Sequence, residues 1–419
     1  MNPQDLLIIF IALQIVHHLV EVALSWLNKN WYSDPVRQRE AAAALQIPPA
    51  DMEKTLAYSL DKYKFSITWG TLNSLIILTF IAAGGLGWLE SVSAGLVAPL
   101  GGGPVVTGLA FFALAGLASG LLDLPGEIWN TFGIEEKHGF NRQTPGGFIS
   151  DRLKGLVLAA VLGGLLLSLI LWVMEHMGQH WWIMAWLLLF GFSLLAAWLY
   201  PTFLAPLFNK FSPIDDGELR DEIFALARKV DFNAGGLSIM DASRRSTHGN
   251  AYFTGAFGKK KIVLFDTLVK SMGTDEIVAV LAHELGHFKL HHIRWRLIRS
   301  FFMIGAVLYA LSLCIQLPLF YEAFHMAGVS NYGALVVFSL WFGPISFLLQ
   351  PLGSWLSRRN EFDADRFALD HIQDQRALGN ALLKLRESNR AMPLSHPAFS
   401  TVYHSHPPML ERLKAMGYI

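Results

Sequence analysis

The chain has 419 residues, of which 53% are hydrophobic and only 16% charged, with 13 Trp and 29 Phe. That composition excludes an array of soluble domains. A formal net charge of zero excludes both the basic field that nucleic-acid binding needs and an acidic tail for a cationic partner. The single cysteine, Cys314, excludes an internal disulfide and sits in an apolar run, where it reads as a small buried hydrophobe.

In chain order, stretches long enough to cross a hydrocarbon core of about 30 Å run near 6–27, 65–89, 105–128, 155–175, 181–206, 300–324 and 332–356. The first has no basic residue before it, exceeds a secretory h-region in length and lacks a small-residue cleavage site behind it, so it is expected to be retained. Lys and Arg test the count of spans. There are none before residue 6, six in 28–64, none in 90–104, four in 129–154, none in 176–180, fourteen in 207–299, none in 325–331 and nine in 357–419. With seven spans all 33 lie on one side; six or eight would break the alternation. Basic residues accumulate on the cytoplasmic face, so the expected topology is N-terminus out and C-terminus in. Four parts follow: spans one to five with their loops over 1–206, a cytoplasmic protease segment over 207–299, spans six and seven over 300–356, and a cytoplasmic segment over 357–419.

The connections 28–64 and 129–154 read as ordered polar loops. Leu219, Ile223, Leu226 and Ala227 recur at helical spacing between Asp216 and Val230. Gly235 and Gly236 precede a strand in GLSIMD, and NAYFTGAF followed by GKKKIVLFD reads as a hairpin turning around Gly258 to Lys260. A small sheet results. Asp275 and Glu276 then open a helix that carries HELGH and is expected to lead directly into the sixth span.

HELGH carries the chemistry. His283 and His287 at i and i+4 project from one helix face and can both reach one Zn²⁺. Glu284 between them can act as the general base that peptide hydrolysis requires. The alternative, two idle histidines on an amphipathic helix, fits poorly with the apolar VAVLA before them, where unused ionisable groups are costly. A catalytic zinc needs a third ligand and an open position. The metzincin spacing is excluded because Leu290 and Ile293 stand where Gly and His would be needed. The best acidic cluster is Glu361, Asp363 and Asp365 in RRNEFDADRFALD, which a two-span hairpin returns to the same membrane face. Glu361 and Asp365 share a helix face, so one can bind metal while the other supports a His ligand.

Further candidates are His248 and Asn250 in STHGNAYF, at alternate strand positions, which can serve an oxyanion or an extended substrate, or can be ordinary turn residues. His404, His406 and Arg412 in YHSHPPMLERL can stabilise negative charge near the metal. His291 and His292 read as surface or interfacial. Glu21 with His17, Asp123 and Glu127 lie inside spans and need a polar cavity or partners.

Five separated segments, EEKHGFN at 135–141, SRRSTHGNAYF at 243–253, LAHELGH at 281–287, SRRNEFDADRFA at 357–368 and HSHPPMLERL at 404–413, make the chain resemble the type I CaaX prenyl endopeptidases. These integral-membrane gluzincins include the yeast a-factor converting enzyme and the human prelamin A processing enzyme. The resemblance implies a mainly α membrane protein, with seven transmembrane helices forming a barrel around a large water-filled chamber that houses the intramembrane acids. It implies one Zn²⁺ per chain on His283, His287 and Glu361, Glu284 as base and Asp365 supporting the His ligands. Asn250, His406 and Arg412 are then expected to act in substrate or transition-state binding, together with His248 and Tyr252 of the same segment as Asn250. Family substrates are prenylated proteins ending in CaaX, cut to release the last three residues, with a second upstream cut in some members. Short connections point to a bacterial member acting as a monomer in the inner membrane with its site facing the cytoplasm; the endoplasmic reticulum is the alternative setting. A bacterial enzyme can instead handle membrane peptides or misfolded proteins. Two rivals remain from the residues themselves. A protease with a mid-bilayer HExxH conflicts with FKLHHIRWR after the motif, and a silent scaffold or transporter would hold structural zinc in a closed four-ligand site.

Overall fold

Helix starts follow local chemistry. Asn2 and Asp5 form a reciprocal capping box at the first helix, with Pro3 at its first position. Pro49, Pro104 and Pro145 open others, and the Ser330 hydroxyl caps the last long one. The computed structural model describes residues 1–254 and 260–419, so the tip of the expected hairpin turn lies outside the described residues. Seven helices are long and apolar enough to cross a membrane: Pro3–Tyr32, Pro49–Ala82, Pro104–Glu135, Pro145–His176, Gly178–Phe208, His292–Cys314 and Asn331–His371. They correspond one to one with the seven expected spans.

Their boundaries differ from expectation in informative places. The second helix begins at Pro49, inside the segment read as a loop, and ends at Ala82. Gly84 there adopts φ +79° and starts a separate helix, Gly85–Val97. The single apolar stretch 65–89 therefore straddles two helices, and Glu90, expected in a connection, is buried on the second. It accepts from the Ala327 amide at 2.7 Å and the Tyr332 hydroxyl at 2.9 Å. The third helix contains Pro125, which has no amide hydrogen to donate to the carbonyl four residues before it, and continues as a π-helical turn over Trp129–Glu135. The motif helix, Thr274–Lys289, does not run straight into the sixth span: His291 takes φ +59° and the span starts afresh at His292. A non-glycine residue in the left-handed region breaks the helix and redirects the chain.

The seventh-span helix has 41 residues. At 1.5 Å per residue it is about 60 Å long, roughly twice the hydrocarbon thickness, so it carries Glu361 and Asp365 out of the apolar region without a break.

Two cores result. One joins Phe10, Phe111, Leu171, Ala185, Leu308 and Val337 from six different spans. The other joins Ile223, Leu264, Leu281, Ala368 and Leu378 beneath the polar segments. Large apolar side chains such as Leu165, Phe302 and Leu348 remain exposed on the outer faces of the spans, as lipid-facing residues are. The acids inside the spans are partnered: Glu21 lies 3.7 Å from His17, Asp123 accepts from Asn73 at 3.0 Å, and Glu127 pairs with Arg152 at 2.8 Å.

The sheet has four strands, β1 (Phe211–Pro213), β2 (Ala234–Met240), β3 (Ala251–Thr254) and β4 (Lys260–Phe265), in the order β1-β2-β4-β3. β2 and β4 run parallel, while β1–β2 and β3–β4 pair antiparallel. β3 is thus an edge strand, and it packs on the motif helix.

The motif helix meets the seventh-span helix at Gly286. A Cβ there would lie 3.1 Å from the Cα and 3.2 Å from the carbonyl oxygen of Ala364. Gly353, on the same long helix, has open space around a Cβ. Gly286→Val is therefore expected to destabilise the fold by about 1–3 kcal/mol through overpacking. A thermal-unfolding scan should show a lower Tm for Gly286→Val, whereas Gly353→Ala, with room for its Cβ and better helix propensity, should keep or raise it.

Candidate metal and catalytic site

The motif helix is held from below by Ile277, Leu281 and Leu285, all buried in the polar-segment core. Its start is fixed by Glu276, which accepts from the Gly273 amide at 2.8 Å and pairs with Lys384 at 2.7 Å. This leaves His283 buried, and Glu284 and His287 half-buried, toward the long seventh-span helix. The close approach at Gly286 then brings Glu361 onto them. His283 Nε2 lies 3.4 Å from Glu361 Oε2, His287 Nε2 lies 3.2 Å from Glu361 Oε1, and the two imidazole Nε2 atoms are 3.2 Å apart.

Asp365 stands one turn further along. Its Oδ1 is 2.8 Å from His283 Nδ1, so the far side of that imidazole is held by a carboxylate. Arg412 grips the same carboxylate with two nitrogens, Nε at 2.8 Å from Oδ2 and Nη2 to Oδ1, which is the bidentate geometry that fixes planar pairs best. The terminal segment that carries Arg412 and His406 is itself pinned to the long helix. Arg358 donates to the carbonyls of Ser400 at 2.7 Å and His404 at 2.9 Å, and Ser354 donates to that of Val402 at 2.7 Å.

The electrostatics call for positive charge in this spot. Burial works against a charged His283, but its bonds to Asp365 and Glu361 outweigh burial and push its pKa up to about 9. Burial raises the Glu284 carboxyl above the usual carboxylate range, with His283 and His287 opposing it. Arg412 is buried, which disfavours its charge, and Asp365 more than restores it.

A metal fits these residues. Ligand atoms of His283, His287 and Glu361 all lie within 4.8 Å of one another. The two imidazole Nε2 atoms, 3.2 Å apart, are separated by about the 3.3 Å edge of a tetrahedron around a zinc ion with ligands near 2.0 Å, and each lies 3.2 to 3.4 Å from one oxygen of Glu361. Glu361 Oε2 is buried and has no hydrogen-bond partner among the described residues. Such an orphaned acceptor is rare unless something else satisfies it. Two imidazoles and a carboxylate suit zinc.

The remaining candidates separate. His406 joins the cluster, with Nε2 3.5 Å from Glu361 Oε1 and its side chain 66% exposed. His248 and Asn250 precede β3 rather than lying on a strand as expected. His248 stacks on Phe140, ring centroids 4.6 Å apart, and bonds Asn389 at 2.8 Å. Asn250 is exposed, and its side-chain oxygen accepts from the Ala251 amide at 2.8 Å. Tyr252 lies on β3. Among the described residues these three make no hydrogen bond or ion pair with His283, His287 or Glu361.

Two features escaped the sequence reading. His292, taken as interfacial, places Nδ1 3.0 Å from His287 Nδ1, because the break at His291 folds the next helix back beside the motif. Glu135 and His138 of EEKHGFN anchor the second helix: Glu135 accepts from Tyr58 at 2.9 Å and Lys62 at 3.0 Å, and His138 meets Asp61 at 2.8 Å. The density of ionisable residues in that segment was the available signal; their partners lie about 75 residues away and were not legible.

Comparison with known proteins agrees with this geometry. Residues 35–210 match the family described as "CAAX prenyl protease N-terminal, five membrane helices", and 213–419 match peptidase family M48. The mouse "CAAX prenyl protease 1 homolog" is 35% identical over 90% of this chain and 88% of its own length. "CAAX prenyl protease 1" of Saccharomyces cerevisiae is 34% identical over 91% of each chain. The crystal structure of S. mikatae Ste24p superposes with a TM-score of 0.89 at 32% identity over 98% of both chains. Likeness that spans both the membrane helices and the HELGH segment means that this chain belongs to the CAAX prenyl protease family of M48 peptidases and is a multi-pass membrane metalloendopeptidase.

Proposed function

We propose that this protein is a zinc endopeptidase that removes the last three residues of prenylated proteins ending in CaaX. The observation that carries this reading is the meeting of His283, His287 and the Glu361 carboxylate, whose Oε2 has no hydrogen-bond partner among the described residues, beside Glu284; the names of the relatives support the substrate class.

His283, His287 and Glu361 would hold the metal. When bound, zinc supplies Lewis acidity, lowering the pKa of the attacking water and polarising the scissile carbonyl. Glu284 takes a proton from that water and passes it to the departing amine nitrogen. Its burial, which raises its proton affinity, suits a group that must both accept and release a proton near neutral pH. Asp365 holds His283 through Nδ1 and so keeps Nε2 as the free lone pair. Arg412, with Nε and Nη2 engaged by Asp365 and Nη1 3.7 Å from Glu361 Oε2, and exposed His406, with Nε2 3.5 Å from Glu361 Oε1, place positive charge and donors beside the point where negative charge builds on the carbonyl oxygen. β3 is a free sheet edge packed on the motif helix. An extended peptide can add to it by main-chain hydrogen bonds, which gives His248, Asn250 and Tyr252 a place in substrate binding.

The seven spans enclose a water-filled chamber, a reading supported by the partnered acids Glu21, Asp123 and Glu127 within them. The site faces the cytoplasm, in the side-chain bookkeeping that puts all 33 Lys and Arg on one side. Short connections between spans favour a bacterial inner membrane.

Three experiments check this reading. Glu284→Ala should stay folded and retain one zinc by elemental analysis, yet lose at least about a hundredfold in cleavage rate; retained cleavage sinks the mechanism. Asp365→Asn should weaken zinc affinity by about 10–100-fold in a chelator competition, whereas Asp363→Asn should leave it unchanged. Purified enzyme given a farnesylated CaaX peptide and its unprenylated twin should release the terminal tripeptide from the first far faster, as read by mass spectrometry. Equal cleavage of both would instead indicate processing of membrane peptides regardless of lipid.

A further inference from the structure

Away from the metal site, where the fourth and fifth spans meet the polar segments, lies a cavity of about 420 Å³. Arg142, Lys154, Lys210, Arg244 and Arg245 line it against one acid, Asp151. Arg245 is neutralised by Asp151 through bonds of 2.8 and 3.0 Å, and Arg244 shares Asp241 at 3.3 Å. Lys154 donates only to the Leu207 carbonyl, at 3.0 Å. Arg142 and Lys210 are exposed and form no ion pair among the described residues. The Arg245–Asp151 pair is thus a wall, and the other cations leave a surplus of positive charge in a concave space that wants an anion.

What lies beside the cavity identifies the anion. The fourth-span helix exposes Ile149 and Leu153, and the end of the fifth exposes Phe203 and Leu207. Pro206, Leu207 and Phe208 at the end of the fifth-span helix are themselves part of the cavity lining, with Leu207 exposed, so the basic cavity carries its own apolar wall. A soluble anion would satisfy the cations and leave that wall unused. A phospholipid satisfies both at once, and basic pockets between spans are where anionic headgroups are held.

We propose that this cavity binds the phosphate headgroup of an anionic membrane phospholipid, whose acyl chains leave along Pro206, Leu207 and Phe208 at its apolar wall. Arg142, Lys210 and Arg244 supply the charge, and Arg245 and Asp151 keep the cavity open by bracing β2's following segment against the fourth span. The assignment is independent of the peptide substrate.

The test uses the full chain, delipidated in detergent, with native mass spectrometry titrating phosphatidylglycerol and phosphatidylcholine of matched acyl chains. Phosphatidylglycerol should bind in preference. Each of Arg142→Gln, Lys210→Gln and Arg244→Gln should weaken it about fivefold, and the triple variant more than any single one. Removing three exposed cations elsewhere, in Lys54→Gln/Lys64→Gln/Lys270→Gln, should leave binding unchanged. The single variants keep the test valid if the triple one fails to fold. Equal affinity for the two lipids, or equal loss in the two triple variants, overturns the proposal. Displacement of the lipid by equimolar inorganic phosphate overturns it as well, since the cavity would then be a site for a soluble anion.

Discussion

The close crossing of two helices at Gly286 and Ala364 is the constraint on which the rest of the site depends. Helices that bear ordinary side chains at their contact pack 8–10 Å apart, and a Cβ at Gly286 would already crowd the Ala364 backbone. Only at this spacing do imidazoles from one helix reach a carboxylate from the other without long, floppy side chains between them. The short residues are therefore as necessary to the site as the ligands.

Charge imposes the second constraint. Glu361, Asp365, Arg412 and His283 are all buried, and a buried charge is tolerated only when it is paired. The pairing draws in three stretches of chain: the motif helix, the far end of the seventh-span helix and the terminal segment pinned by Arg358 and Ser354. Removing any one strands the others' charges, so the site is complete only when the whole chain has folded.

Membrane and polar parts are joined by continuous structure rather than by a linker. The seventh-span helix belongs to both cores through Val337 and Ala368. The second helix reaches out of the membrane to place Tyr58, Asp61 and Lys62 against Glu135 and His138, and Arg245 ties the sheet to the fourth span through Asp151. These ties fix the candidate site residues relative to the spans.

The number of spans, the HELGH helix and the acidic cluster were legible because each depends on local pattern: length of an apolar run, alternation of basic residues, and i,i+4 spacing on one helix face. Residue spacing alone names Glu361 and Asp365 only as a pair, and it was the family resemblance that divided their labour; which of them faces the imidazole Nε2 atoms is a matter of tertiary geometry. The left-handed turn at His291, the break at Gly84, the burial of Glu90 and the contact of His292 with His287 are likewise set by what packs alongside. Apolar periodicity is blind to a single residue's φ, and pairing across more than 200 residues leaves no local trace. The sequence by itself determined the membrane class, the span count and the candidate residues of the site; the tertiary structure alone decided which side chains meet, because distance and burial arise only when distant helices close on one another.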